Sequence, residues 1–166
     1  MSSPIDQLRD VDLSYLSKQE AKEFTLLLEE LERREVREAS SATFYEFVKK
    51  IWPEFIAGAH HKKMAEAFDE IAEGKSKRLI INMPPRHTKS EFASYLFPAY
   101  LLGKRPKLKI IEATHTADLA INFGRRVRDL LETEEYAELF PSTQLKADSR
   151  SAGKWQTNQG GEYFAS

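Results

Sequence analysis

Residues Leu79–Gly103 read LIINMPPRHTKSEFASYLFPAYLLG. An apolar run, Leu79–Met83, enters a short turn and leaves it in a helical pattern that opens on Lys89-Ser90. A strand turning sharply into a helix start is the arrangement that grips polyphosphate. Backbone N–H groups face the anion, an ammonium reaches the β/γ oxygens, and a hydroxyl takes Mg²⁺ as a ligand. The usual spacing, G-x-x-x-x-G-K-[ST], would put glycines where Met83 and Thr88 stand. Pro84 and Pro85 hold φ near about −65° and have no N–H to offer. Thr88 carries a strain of about 1–3 kcal/mol if the turn needs it left-handed. Arg86 and His87 bring positive groups in place of amides, and an arginine engages a γ-phosphate through two parallel hydrogen bonds. The residues alone leave two readings open. One is a phosphate loop with altered chemistry; the other is a proline-terminated strand, a turn, and a helix whose exposed Lys-Ser is inert.

Working outward, Arg78–Met83 reads as a short buried strand with turn residues on both sides. The helix after the turn is expected over about Lys89–Leu102, with Pro98 kinking or ending it. Leu108–Thr114 is a second strand-like run, and Thr116 has the chemistry to cap a helix over Ala117–Leu131. Strand, helix, strand, helix predicts an α/β fold with a parallel sheet and flanking helices. Upstream, Ser17-Lys18-Gln19-Glu20 has capping-box spacing ahead of an amphipathic helix from Ala21 to about Arg37. Phe24, Leu27, Leu28, Leu31 and Val36 form its apolar stripe, expected to dock on a core. Further helices are expected over Thr43–Ile51 and His60–Ala72, the latter stopping at Gly74. His60 and His61 are adjacent, so they point about 100° apart on a helix and grip one metal poorly; a surface or partner-contact role is expected for them. Downstream, Ser142–Lys154 reads as irregular, followed by two short strands around Asn158-Gln159-Gly160-Gly161. The organisation is a helical arm over residues 1–40 and one α/β domain over residues 41–166.

The chain has 166 residues, 25 basic against 26 acidic and a net charge of −1. That balance argues against wrapping nucleic acid by bulk attraction. Any DNA contact must be local, and Arg125, Arg126 and Arg128, with Lys104, Arg105, Lys107 and Lys109, are the candidate clusters. A solvated charged face is the plainer reading of both. There is no cysteine, which removes disulfides and thiolate metal sites. No apolar run approaches the roughly 20 residues that span a bilayer, so no membrane partner is expected.

From Thr43 to Ser166 the chain resembles the large terminase subunit of tailed double-stranded DNA phages, the ATPase that pumps the genome into the procapsid. The resemblance rests on PPRHTKS as a form of the phosphate loop. KIIEATHTADLAINFGRRVRDLLETEEYAELFP is similar to the second strand, its Thr-rich exit and the Arg-rich helix. KWQTNQGGEYFAS is similar to the tryptophan strand and Gly-Gly turn that follow. It implies an incomplete RecA-like P-loop NTPase domain with an N-terminal helical lead-in. ATP and Mg²⁺ would be its cofactors, bound by Pro85, Arg86, His87, Thr88, Lys89, Ser90 and Glu91. Lys89 would bind the β/γ-phosphates, Arg86 would sense or stabilise the γ-phosphate, and these two would be the catalytic pair. Ser90 would hold Mg²⁺. Trp52, Pro53 and His60 would lie toward the adenine, and Thr114-His115-Thr116 would couple hydrolysis to movement. The implied partners are double-stranded DNA, the portal protein, the small terminase subunit and other copies in a ring, in the host cell cytoplasm. The family's second apolar strand ending in Asp, the Walker B segment, follows the Gly-Gly hairpin and is expected beyond residue 166. Glu112 is the internal substitute. A non-catalytic interaction fragment and another RecA/helicase-type ATPase are the competing readings.

Overall fold

A computed structural model describes residues 4–9 and 11–166, and the chain divides into two compact units, Met1–Ala39 and Ser40–Ser166. In the first unit, helix α1 (Pro4–Arg9) and a 3₁₀ turn (Leu13–Tyr15) precede helix α2 (Lys18–Ala42), which continues into the second. Ser17 and Glu20 form the expected reciprocal cap: Ser17 N–H donates to Glu20 Oε2 at 2.8 Å and Glu20 N–H to Ser17 Oγ at 3.3 Å. The helix outruns its expected bounds at both ends, since the added residues include good helix formers such as Lys18, Gln19 and Glu38. Leu27, Leu31 and Val36 are exposed, Phe24 and Leu28 are half-buried, and no residue of α2 is fully buried, so the stripe that periodicity assigns to core packing is only partly covered.

The second unit opens with α3 (Phe44–Ile51), capped by Thr43 Oγ1, which accepts from Glu46 N–H at 3.2 Å. Helix α4 (Ala59–Ala72) ends before Gly74, as expected. The next helix begins at Lys89, passes through a π-helical stretch over Glu91–Leu96, and continues as α5 (Phe97–Lys104). Pro98 neither ends nor breaks it. Phe97 N–H reaches back five residues to the Phe92 carbonyl, and this wider turn shifts the hydrogen-bond register just ahead of the residue that has no N–H to give.

Strand β1 (Lys109–Glu112) leads to α6 (Ala117–Leu131), capped by Thr116 as expected, and then to α7 (Glu134–Leu139). Strands β2 (Leu145–Arg150), β3 (Lys154–Thr157) and β4 (Glu162–Ala165) complete one sheet in the order β1-β4-β3-β2. Only β1 and β4 pair in parallel, with Lys109 opposite Glu162 and Glu112 opposite Ala165. The other two pairings are antiparallel, the β3–β4 pair being the hairpin expected around Asn158–Gly161, so the sheet is mixed rather than the parallel one that the strand-helix alternation predicts. The cause lies at the Asn158–Gly161 turn, where Gly160 takes φ of 90° and folds β4 back on β3. A second correction is β2, which forms inside the stretch expected to be irregular.

A third concerns Arg78–Met83, which is no strand. Ile81 and Met83 pack against the core while Ile80 is 86% exposed, so the alternation of a strand survives. The ladder does not. Among the described residues no strand lies beside the segment, and apolar alternation without a partner's backbone cannot make a sheet.

The core is aromatic. Phe44, fully buried, is surrounded by the rings of Phe47, Phe68, Phe92, Phe97 and Tyr100 at centroid distances of 5.2–6.3 Å, mostly edge to face. Asp69 on α4 accepts from Phe44 N–H at 2.8 Å and lies 3.3 Å from the Tyr100 hydroxyl, tying three helices at one carboxylate. Trp155 stacks on Tyr163 at 4.9 Å and donates to the Gly124 carbonyl at 3.0 Å. A Cβ at Gly124 would stand 2.8 Å from the Ala152 carbonyl, so only glycine lets α6 approach the hairpin this closely. Replacing Phe44 with alanine removes the ring on which five others converge; urea unfolding is expected to show a loss of about 3–5 kcal/mol.

Candidate functional site

Phe92 joins the core to the loop. It is fully buried against Phe44, and its N–H makes the first hydrogen bond of the helix, to the Thr88 carbonyl at 2.9 Å. The N–H groups of Lys89, Ser90 and Glu91 therefore have no acceptor within the helix and remain available to an anion. Ahead of them the chain takes left-handed backbone twice, at Arg86 (φ 64°) and Thr88 (φ 55°). The turn does demand a glycine-like conformation at the position where glycine is usual, and a β-branched residue supplies it. Pro85, Arg86, His87, Thr88, Lys89, Ser90 and Glu91 all line one open concavity of about 530 Å³, with Met83 and Pro84. That volume falls within the roughly 300–1,000 Å³ of small-molecule sites.

Two of the side chains that line it, Arg86 and Lys89, are cationic. Lys89 crosses the mouth of the turn, its Nζ donating to the Met83 carbonyl at 3.4 Å. Arg86 is exposed. The His87 Nδ1–H donates to the Pro85 carbonyl at 2.9 Å, since a carbonyl can only accept, and this closes the loop on itself. Glu91 is the one carboxylate lining the concavity among the described residues, and it is engaged by both terminal nitrogens of Arg126, one at 3.0 Å. Arg126 also lies 4.2 Å from the centre of the Tyr95 ring. Arg126 is thus a structural partner of the loop helix rather than part of a solvated face, and it offsets the negative charge beside Lys89.

Lys89 and Ser90 are shared with a second groove of about 410 Å³ lined by Phe68, Ile71, Leu79, Ile81, Ala93, Ser94 and Phe97. Glu112, at the end of β1, is half-buried beside Ser94; burial pushes its carboxyl up and the Ser94 hydroxyl opposes that shift. It lines neither concavity. Trp52 lines a third hollow of about 280 Å³ with Ile51, Tyr95 and Leu96, which meets the loop site at Glu91 and also includes Arg126. Thr114 Oγ1 donates to the Thr116 carbonyl at 2.6 Å, and neither residue lines the loop concavity. Of the other basic clusters, Lys104 donates to the Ser41 carbonyl at 3.2 Å and Lys109 pairs with Glu162 at 3.5 Å.

His61 is the residue that sequence reasoning misplaced. Expected at the surface, it is 6% exposed and aimed at the loop. It occupies the third position of α4, where a capping side chain reaches back to the cap residue. Its Nδ1 accepts from Gly58 N–H at 2.9 Å, and its Nε2 lies 2.6 Å from Thr88 Oγ1. The one available signal was a histidine three residues beyond a glycine cap, and its distant partner is not visible in sequence. The His60 ring lies 3.8 Å from it, tilted by 44°, and His87 lies 5.8 Å from His60.

No protein-family model, curated protein or solved structure matches the chain.

Burial lowers the pKa of His61, and the neighbouring His60 and His87 add to the effect. The folded protein therefore holds it neutral, while the unfolded chain takes up the proton first as pH falls. Its stability contribution is whole above the ordinary value of 6.5 and is lost as pH drops from there toward the lowered folded value. Thermal unfolding followed from pH 7.5 to 5 is expected to show a steeper fall for the native chain than for His61→Gln, which cannot titrate.

Proposed function

We propose that the chain is the nucleotide-binding part of an ATP-driven DNA-packaging motor, a large terminase subunit, on an incomplete RecA-like P-loop domain. One observation carries this reading. Pro85–Glu91 converge on a single cationic concavity at a helix start, with the left-handed turn a phosphate cradle requires. A left-handed threonine supports the phosphate-loop reading over the inert turn, because backbone strain of this kind concentrates at ligand sites.

In this reading Lys89 leaves the Met83 carbonyl for the β/γ-phosphate oxygens. The N–H groups of Lys89, Ser90 and Glu91 hold the same group from the helix side. Arg86, exposed and on the left-handed backbone, closes on the γ-phosphate. Ser90 Oγ would hold Mg²⁺ together with phosphate oxygens. Among the described residues no cluster of three or more His, Asp or Glu is placed to bind a metal by itself, so the ion would arrive with the nucleotide. ATP hydrolysis in one copy of a ring would be coupled to movement of double-stranded DNA, with the portal protein and the small terminase subunit as partners in the host cytoplasm.

A second reading has its own observation. The sole carboxylate lining the concavity, among the described residues, is committed to Arg126, which leaves no group there to orient an attacking water. A chain that binds nucleotide without turning it over, acting as an interaction module, fits that fact. A different RecA/helicase-type ATPase would share the loop.

Calorimetric titration with ATP and Mg²⁺ tests the site. Binding is expected, weaker without Mg²⁺, and weakened by about 10–100-fold in Lys89→Ala, the loss of one hydrogen bond to a charged partner. Absence of any binding heat at millimolar ATP would sink the proposal. Steady hydrolysis by the isolated chain, abolished by Lys89→Ala, would overturn the binding-only reading.

A further inference from the structure

We propose that His61 is the positioning residue of the loop: as a neutral imidazole anchored on Gly58 it locks Thr88 in the left-handed turn that presents the cradle to a polyphosphate. The inference rests on the phosphate-binding reading above and adds the residue that makes the turn possible without glycine.

The argument begins with the proton. A backbone N–H can only donate, so the contact from Gly58 N–H at 2.9 Å requires His61 Nδ1 to be bare. The ring proton therefore sits on Nε2, 2.6 Å from Thr88 Oγ1, and is donated to it. The Thr88 hydroxyl in turn donates a hydrogen bond to the His87 carbonyl at 2.7 Å. The result is a chain of hydrogen bonds with one direction, from the Gly58 amide through the imidazole and the hydroxyl to a loop carbonyl. Every member is used once as donor and once as acceptor, apart from the two ends.

The ring has little freedom to leave. Phe55 lies 4.7 Å and Phe92 5.3 Å from its centre, and His60 covers it at 3.8 Å. Thr88 is thus held twice, by its hydroxyl from α4 and by its carbonyl from Phe92 N–H. A threonine at φ of 55° persists only where its surroundings over-determine it, and these two contacts do so. Serving only as a helix cap, His61 would need Nδ1 alone. The contact through Nε2 is the part that concerns the loop.

The distinguishing experiment uses the conformational freedom of glycine. Glycine adopts the left-handed turn without strain, so in a Thr88→Gly background the lock has nothing to hold. Inorganic tripolyphosphate would be titrated by calorimetry into the native chain, His61→Ala, Thr88→Gly and the double variant. His61→Ala is expected to weaken binding about tenfold in the native background and less than about twofold in the Thr88→Gly background, the strain of a left-handed threonine setting the scale. His61→Gln, whose amide N–H reaches the same hydroxyl, is expected to recover most of the loss. Thr88→Val reads the link from its other end should His61→Ala fail to fold, and is expected to lose affinity comparably. Equal losses in both backgrounds, or undiminished affinity in His61→Ala or Thr88→Val, would overturn the lock. A native chain that binds no tripolyphosphate would instead refute the phosphate site. The lock is then judged by the Thr88 H–N–Cα–H coupling and the imidazole ¹⁵N shifts. A left-handed coupling and a protonated Nε2 in the native chain, with the coupling lost in His61→Ala, sustain it; a coupling unchanged in His61→Ala refutes it.

Discussion

A β-branched residue at φ of 55° sets the terms for the rest of the second unit. Thr88 is where the chain stops running along the core and becomes a helix, and the direction of the Lys89 and Ser90 side chains follows from that turn. Holding it takes the first turn of α4, the buried ring of Phe92 and the aromatic cluster around Phe44. The core therefore does more than stabilise the domain. It fixes the backbone at one strained residue, and the cationic concavity exists because that residue stays put.

The Glu91–Arg126 pair and the π-helical stretch work on the same few residues. Both terminal nitrogens of the guanidinium hold the carboxylate on the α6 side, and the guanidinium itself rests near the Tyr95 ring. The wider turn over Glu91–Leu96 places Phe92 inward against Phe44 while the chain continues through Pro98. With its one acid satisfied elsewhere, the loop keeps the positive character of Arg86 and Lys89. Electrostatics and backbone register thus favour the same ligand class, an anion with several oxygens.

Much of the fold was legible because its signals are local. The Ser17–Glu20 box, the Thr116 cap, the Gly74 stop and the Gly160 turn are each decided within four residues of themselves, and each appears where the side-chain chemistry puts it. What was not legible depends on distant partners. Arg78–Met83 has a strand's alternation, but a ladder needs another backbone. β2 has a polar sequence, Leu-Lys-Ala-Asp-Ser-Arg, and exists because β3 lies beside it. The loop's lining residues are contiguous, so the sequence reached them; His61 meets Thr88 from 27 positions away and had no local sign of doing so.

The open margin of β1 carries one more consequence. Ile111 on that strand is 74% exposed, and among the described residues nothing pairs with its outer side. Such a margin is a template for another copy's backbone, and proteins keep it in check by brevity and by charge. Here the strand is four residues long and begins at Lys109, whose ammonium stands toward solvent while reaching Glu162. An apolar substitution at Lys109 would strip the charge from the start of this margin and leave Glu112 at its end and the shortness of the strand to resist stacking into aggregates.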